Sequence, residues 1–192
     1  MGDIVLAGST SGTTTLRPAA VSGTTTLTLP ATTGTVLTTA STFAGTGPAF
    51  SAYANASQSV TGNVFTKVVF QAESFDTASC FDSTTNYRFT PTVAGYYQLN
   101  AMVVLVGTVT TTQLAVSIYK NGASTERLID ISPSASLSAN GNTGVYGLTI
   151  LYLNGSTDYV EIYGYYYLGT ATFSLTASTY TSRFSGSLVR AA

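Results

Sequence analysis

YYQLNAMVVL, residues 96–105, decides the fold. Tyr97, Leu99, Ala101, Val103 and Leu105 alternate with Tyr96, Gln98, Asn100, Met102 and Val104. A period of two over ten residues places one apolar row on one face of a strand, whereas a helix would bring apolar residues together every three or four positions. The same period recurs on both sides. Leu114, Val116 and Ile118 alternate with Gln113, Ala115, Ser117 and Tyr119. Phe173, Leu175 and Ala177 alternate with Thr172, Ser174 and Thr176, and Phe184, Gly186 and Leu188 with Arg183, Ser185 and Ser187. Further strands are expected near 66–71, 87–89, 127–131, 145–152 and 159–167. The turn sequences TPTVAG, KNGAS, SANGNTG and LNGST separate them. No window carries a helical period. The expectation is an all-β sandwich or jelly roll of eight to ten antiparallel strands.

Composition narrows the function. Only 8% of the 192 residues are charged and the formal net charge is −1. No basic stripe exists to grip phosphates, so nucleic acid is not an expected partner. Thirteen Tyr and nine Phe on so uncharged a chain suggest a surface covered by like subunits or by another protein. A surface kept soluble by Ser and Thr hydroxyls is the alternative. Histidine is absent, which removes Ser-His-Asp and Cys-His pairs and most catalytic zinc sites. No P-loop, G-x-G-x-x-G or G-x-S-x-G occurs. The reading is not an enzyme, with no catalytic residues and no bound cofactor. Cys80 is the single cysteine, so no internal disulfide can form, and it reads as a small buried apolar group. MGDIVLAGST lacks a basic signal-peptide start, and the longest apolar run, 101–106, is far short of a membrane span. Synthesis in a cytoplasm is expected, with no membrane partner.

Residues 1–47 read as an extended arm that ends at the Gly/Pro punctuation of FAGTGP, and residues 48–192 as the head. The arm repeats SGTTTL at 11–16 and 22–27, with one charge, Arg17, within 11–27. Runs of Thr favour extended backbone but bury too little to form a core. The arm therefore needs a surface to lie on. Ser11, Thr13, Leu16, Arg17, Ser22, Thr24 and Leu27 are its candidate anchoring residues.

Three further groups are candidates. Glu73, Asp76 and Asp82 could offer carboxylates to calcium, although their spacing matches no EF-hand. The plainer reading has Asp76 and Asp82 accept local hydrogen bonds in an ordered loop. Eight of the thirteen tyrosines fall between Tyr146 and Tyr180. Along 159–167, Val160 and Ile162 should face the core, while Tyr159, Glu161 and Tyr163 face outward. Outward tyrosines suit a subunit interface or a sugar-stacking platform.

The head resembles the globular domain of the C1q/tumour-necrosis-factor superfamily, in its microbial and bacteriophage versions. Phe50-Ser51-Ala52, Phe81-Asp82, Phe89 with Pro91, Gly95 with Tyr97, Lys120-Asn121-Gly122, Leu153, Val160 and Phe184-Ser185-Gly186 carry the resemblance. It spans about three quarters of the chain. Departures are Thr157-Asp158-Tyr159, where Gly-Asp is usual, and Ser187, where the close normally has Phe. The resemblance implies a ten-strand jelly roll that trimerises through aromatic faces, with Tyr96, Met102, Tyr119, Tyr159, Tyr163 and Tyr165 as contacts. Some members bind calcium near the top of the head. The arm is similar to segments of tailed-phage virion proteins that precede such heads. Together these imply a capsid decoration (cement) protein at the virion surface whose arm docks on the major capsid protein or another virion protein. The alternative is the receptor-binding tip of a tail fibre or spike, and either could hold host surface glycans.

Overall fold

A computed structural model describes residues 4–17, 24, 26, 47–107, 113–123, 129–131, 141–167, 172–175 and 181–192. The chain divides into two compact units, Met1–Thr38 and Thr39–Ala192. In the first unit, β1 (Ile4–Ala7) and β2 (Thr13–Leu16) pair antiparallel from Ile4↔Leu16 to Ala7↔Thr13.

The second unit is all β among the described residues. Its strands are β3 (Ala49–Tyr53), β4 (Gln58–Thr61), β5 (Thr66–Lys67), β6 (Ala72–Asp76), β7 (Phe81–Asp82), β8 (Arg88–Phe89) and β9 (Gly95–Gly107). They continue with β10 (Gln113–Lys120), β11 (Ile129–Ile131), β12 (Gly141–Leu153), β13 (Val160–Tyr167), β14 (Thr172–Leu175) and β15 (Arg183–Ala191). Three of these segments, β5, β7 and β8, are two residues long; β5 and β8 fall within the strands expected near 66–71 and 87–89, and β7 is not among those expected. The ten longer ones match the strand number expected from the sequence.

Two antiparallel sheets result. In one, β12, β9, β15, β3 and β6 lie side by side, with β14 pairing β9 beyond the end of β15 and β4 pairing β14. The other runs β11-β10-β13-β8-β7, with β5 also on β13. The alternation at 96–105 behaves as read: Tyr97, Leu99, Ala101, Val103 and Leu105 are buried, and Tyr96 and Met102 are exposed. Val104 differs. It is buried, and its amide donates to Ser182 Oγ at 2.9 Å.

The core centres on a knot of rings that joins the sheets. Phe50 of β3 stacks on Phe89 at 4.3 Å and on Phe81 at 5.1 Å, both from the opposite sheet. Phe184 of β15 meets Phe50 edge-on at 4.8 Å, and Phe89 meets Tyr97 edge-on at 5.4 Å. Tyr97 is fully buried, yet its hydroxyl donates to the Val93 carbonyl at 2.7 Å. Burial, and to a lesser extent the nearby Cys80, push its pKa up to about 12. Gly186 belongs to this packing. A Cβ there would lie 2.6 Å from Leu99 Cδ2 and 3.0 Å from Phe50 Cε1.

Phe50→Ala should therefore destabilise the protein by about 3–5 kcal/mol, the usual range for an aromatic truncated in a core. Equilibrium urea unfolding of the two proteins checks this.

Candidate self-association face

β9 and β12 pair over thirteen residues, from Gly95↔Leu153 to Gly107↔Gly141. Their inner faces supply the core, including Val145, Leu151 and Leu153 from β12. Their outer faces are apolar as well. Tyr146, Leu148 and Ile150 are 62%, 59% and 58% exposed, and Tyr152, Tyr96 and Met102 are also exposed. Register makes one strip of them. Tyr96 sits opposite Tyr152, with ring centroids 5.6 Å apart, and Met102 sits opposite Tyr146. Asn100 and Gln98 face Leu148 and Ile150. On the β15 side a shallow depression is lined by Asn100, Met102, Tyr146, Leu148, Arg183 and Ser185. Arg183 Nη2 donates to Ser51 Oγ and Ser74 Oγ at 3.0 and 2.9 Å. No carboxylate occurs on β9, β12 or β15, so covering this strip desolvates no anion on those strands. Contiguous exposed apolar surface of this kind marks an interaction site.

The six interface candidates do not share one surface. Tyr96 and Met102 belong to this strip. Tyr159 precedes β13, and Tyr119, Tyr163 and Tyr165 lie on β10 and β13 of the other sheet. There the rings cover one another. Tyr119 stacks on Tyr163 at 3.9 Å, Phe65 stacks on Tyr165 at 4.8 Å, and the Arg88 guanidinium lies 4.2 Å above the Tyr159 ring. Tyr119 is buried, and the other three are half-buried. Glu161 departs from its outward reading. It is buried and paired with Lys67 Nζ, because β5 lays Lys67 across that face. Burial raises the pKa of Tyr163, and the neighbouring Glu161 carboxylate adds to the effect. Tyr146 and Tyr152 belong to the tyrosine group singled out in the sequence but are not among the contacts named there, and Leu148 and Ile150 escaped the sequence reading. Their signal was a strand with apolar residues at its outward positions too.

The acidic trio does not converge. Asp76 accepts from the amides of Ala78 and Phe81, at 3.1 and 2.7 Å. Asp82 accepts from the amides of Thr84, Thr85 and Asn86 and from the Asn86 side chain. These amides hold its carboxyl well below the usual carboxylate range. Glu73 lies exposed on β6. Among the described residues no three His, Cys, Asp or Glu gather as a metal site. In the arm, Ser11, Thr13, Leu16, Arg17 and Thr24 are exposed, and Ser22 and Leu27 lie outside the described residues.

A polar tie ends the β9–β12 ladder. Asp158 accepts from Asn121 Nδ2 at 2.8 Å and the Asn154 amide at 3.0 Å, and pairs with Lys120 Nζ at 2.9 Å. Asn121 and Gly122 form the turn after β10 with φ of 55° and 71°. Gly155 (φ 71°) brings the next loop against Val93 and Ala94, where a Cβ would lie 2.3 Å from the Ala94 nitrogen. The Asn121 hydrogen bond, more than the Lys120 charge, holds the Asp158 pKa below its ordinary value.

No protein-family model matches the chain, and no curated protein sequence does. Solved structures do match. The globular domain of zebrafish complement 1qA protein aligns at 20% identity and a TM-score of 0.51, over 76% of this chain and 99% of that one. Eiger TNF from S. frugiperda aligns at 11% identity and a TM-score of 0.55, over 76% and 95% of the two chains. Murine APRIL at pH 5.0 aligns at 14% identity and 0.52, over 74% and 99%. The head is a C1q/TNF-like jelly roll. The order of motifs in the sequence is thus matched by a likeness of fold, and the likeness speaks to fold alone.

Asp158→Ala removes the acceptor of the part-buried hydrogen bonds from Asn121 and Asn154, so at neutral pH it should cost about 0.5–1.5 kcal/mol. A carboxylate with a depressed folded pKa stabilises above its unfolded value, near 3.9, and that stability is lost as pH falls through the folded value. The gap in unfolding free energy between the two proteins should therefore be full at pH 7 and shrink below about pH 4. Urea unfolding at stepped pH reads it.

Proposed function

We propose that the chain is a non-enzymatic structural protein of a virus particle, a homotrimeric capsid decoration (cement) protein. Its head associates through the outer face of β9 and β12, and its arm docks on the shell. The uncovered apolar strip from Tyr96 and Tyr152 to Met102 and Tyr146 carries the self-association. Every copy presents the same uncharged strip, with tyrosine hydroxyls able to hydrogen-bond at its margins. A second copy is thus a partner of matching chemistry, and the family resemblance implies threefold closure. The ionisable groups buried in the head serve packing: Glu161 is held by Lys67 and Asp158 by Lys120. This supports a mechanical role over a catalytic one. The virion assignment rests on the arm, whose SGTTTL repeat is similar to segments of tailed-phage virion proteins. Three arms on one trimer would bridge neighbouring shell subunits, and linked weak contacts add as avidity.

Leu148→Asp buries a charge in the proposed interface and should shift the sedimenting mass from trimer to monomer, with the far-ultraviolet circular dichroism unchanged. A folded variant of unchanged trimeric mass would overturn the interface. On purified particles, copies comparable in number to the major shell protein are expected by gel densitometry. A handful per particle would overturn the decoration role in favour of a tail component.

A further inference from the structure

The β1–β2 sheet of the arm is open on every side that the described residues show. All eight of its residues are exposed, with Ile4, Val5, Leu6 and Leu16 at 60%, 57%, 55% and 47%. Ile4 lies opposite Leu16 and Leu6 opposite Thr14, so Ile4, Leu6 and Leu16 form an apolar patch on one face. A lone two-stranded hairpin is marginal in water, and its edges carry unpaired amides and carbonyls. What β1 pairs with is a strand of sequence Thr-Thr-Thr-Leu, Thr13–Leu16. The chain contains that sequence twice, the second time at 24–27.

We propose that the free edge of β1 takes residues 24–27 from a second copy of this chain, antiparallel and in the register that β2 uses. Leu27 then lies opposite Ile4, Thr26 opposite Val5, Thr25 opposite Leu6 and Thr24 opposite Ala7. The row Leu16, Ile4, Leu27 crosses three strands and extends the apolar patch. A chain is poorly placed to complete its own sheet in this way. On that edge residues 24–27 would run parallel to β2, and a crossover between parallel strands takes a dozen or more residues. Seven residues, 17–23, separate Leu16 from Thr24, and Pro18 among them has a fixed φ. A neighbouring copy has no such limit. Each chain gives one strand and receives one, and passed on head-to-tail the contact closes into a ring where the rotation between copies allows it. Only the size of that ring, three, rests on the trimer proposed above.

The test uses the full-length chain with Val5→Cys and Thr26→Cys, oxidised with glutathione disulfide and run on a non-reducing denaturing gel. Dimers and trimers that vanish on reduction are expected. A Val5→Cys/Thr15→Cys control should give an internally bridged monomer, and the unaltered chain, with Cys80 buried, should give neither. Monomer alone from the Val5/Thr26 pair, bridged or unbridged, overturns the exchange when the control oxidises. If that pair does not yield soluble protein, Leu6→Cys/Thr25→Cys asks the same question one register position along. Sedimentation of the unoxidised, unaltered chain separates this proposal from the one on which the ring size rests. A trimeric mass with no interchain disulfide overturns the exchange and leaves the head interface standing. An oligomeric mass other than a trimer, with interchain disulfides, supports the exchange and overturns the trimeric head, and a monomeric mass overturns both.

Discussion

Everything in the head hangs on the contact of Phe50 with Phe81 and Phe89. Phe50 comes from one sheet and the other two from the opposite sheet, and no other described stack ties both layers so tightly. Around it, Phe184 and Tyr97 extend the knot to β15 and β9, the strands on which the broad sheet is built. The residues that carry the family resemblance are thus mostly packing residues. Phe50, Phe81, Phe89, Tyr97 and Phe184 are spread over 134 positions of sequence and meet within one core. Gly186 follows from them, since a larger side chain would occupy the space of Leu99 and Phe50. A motif of this kind is evidence about fold, and says little about ligands.

The fold was legible because alternation and turns are local properties. The window from 96 to 105 announces its own buried face without reference to the rest of the chain, whereas at 114–119 Ala115, Ser117 and Tyr119 are buried as well as the apolar row. Asn121-Gly122 likewise announces a turn, and Asp76 and Asp82 accept from amides two to five residues along the chain. The candidate site was legible only in part. Whether an outward tyrosine stays exposed depends on what the remainder of the chain lays over it. Lys67 reaches Glu161 from 94 residues away, and Phe65 covers Tyr165 from a hundred residues upstream. The run 165–167 shows the difficulty. Tyr165 stacks on Phe65, Tyr166 is buried with its hydroxyl on the Val60 carbonyl, and Tyr167 is exposed. Nothing in three identical side chains foretells three environments.

The low charge content now has a more specific meaning. With no charged residue on β9 or β12, the outer strip of those two strands can be covered without desolvating a charge of their own. The carboxylates buried in the head among the described residues, Glu161 and Asp158, are each met by a lysine and further hydrogen bonds. Charge is therefore used to tie loops and short strands in place, and apolar area is left for contact.

The position of β15 has a bearing on synthesis. The last strand of the chain lies between β9 and β3, with Phe184 opposite both Ala101 and Ala52. A ribosome that has released everything up to residue 180 has made a sheet with a slot through its middle. Phe50 and Leu99 line that slot, and two unsatisfied strand edges border it. Nearly the whole head must be gathered before the slot is filled, which is the high contact order associated with slow folding. Until β15 emerges, the nascent head lacks the strand that joins β9 to β3 and exposes apolar surface, and deletions within β15 should be far more harmful than their length implies.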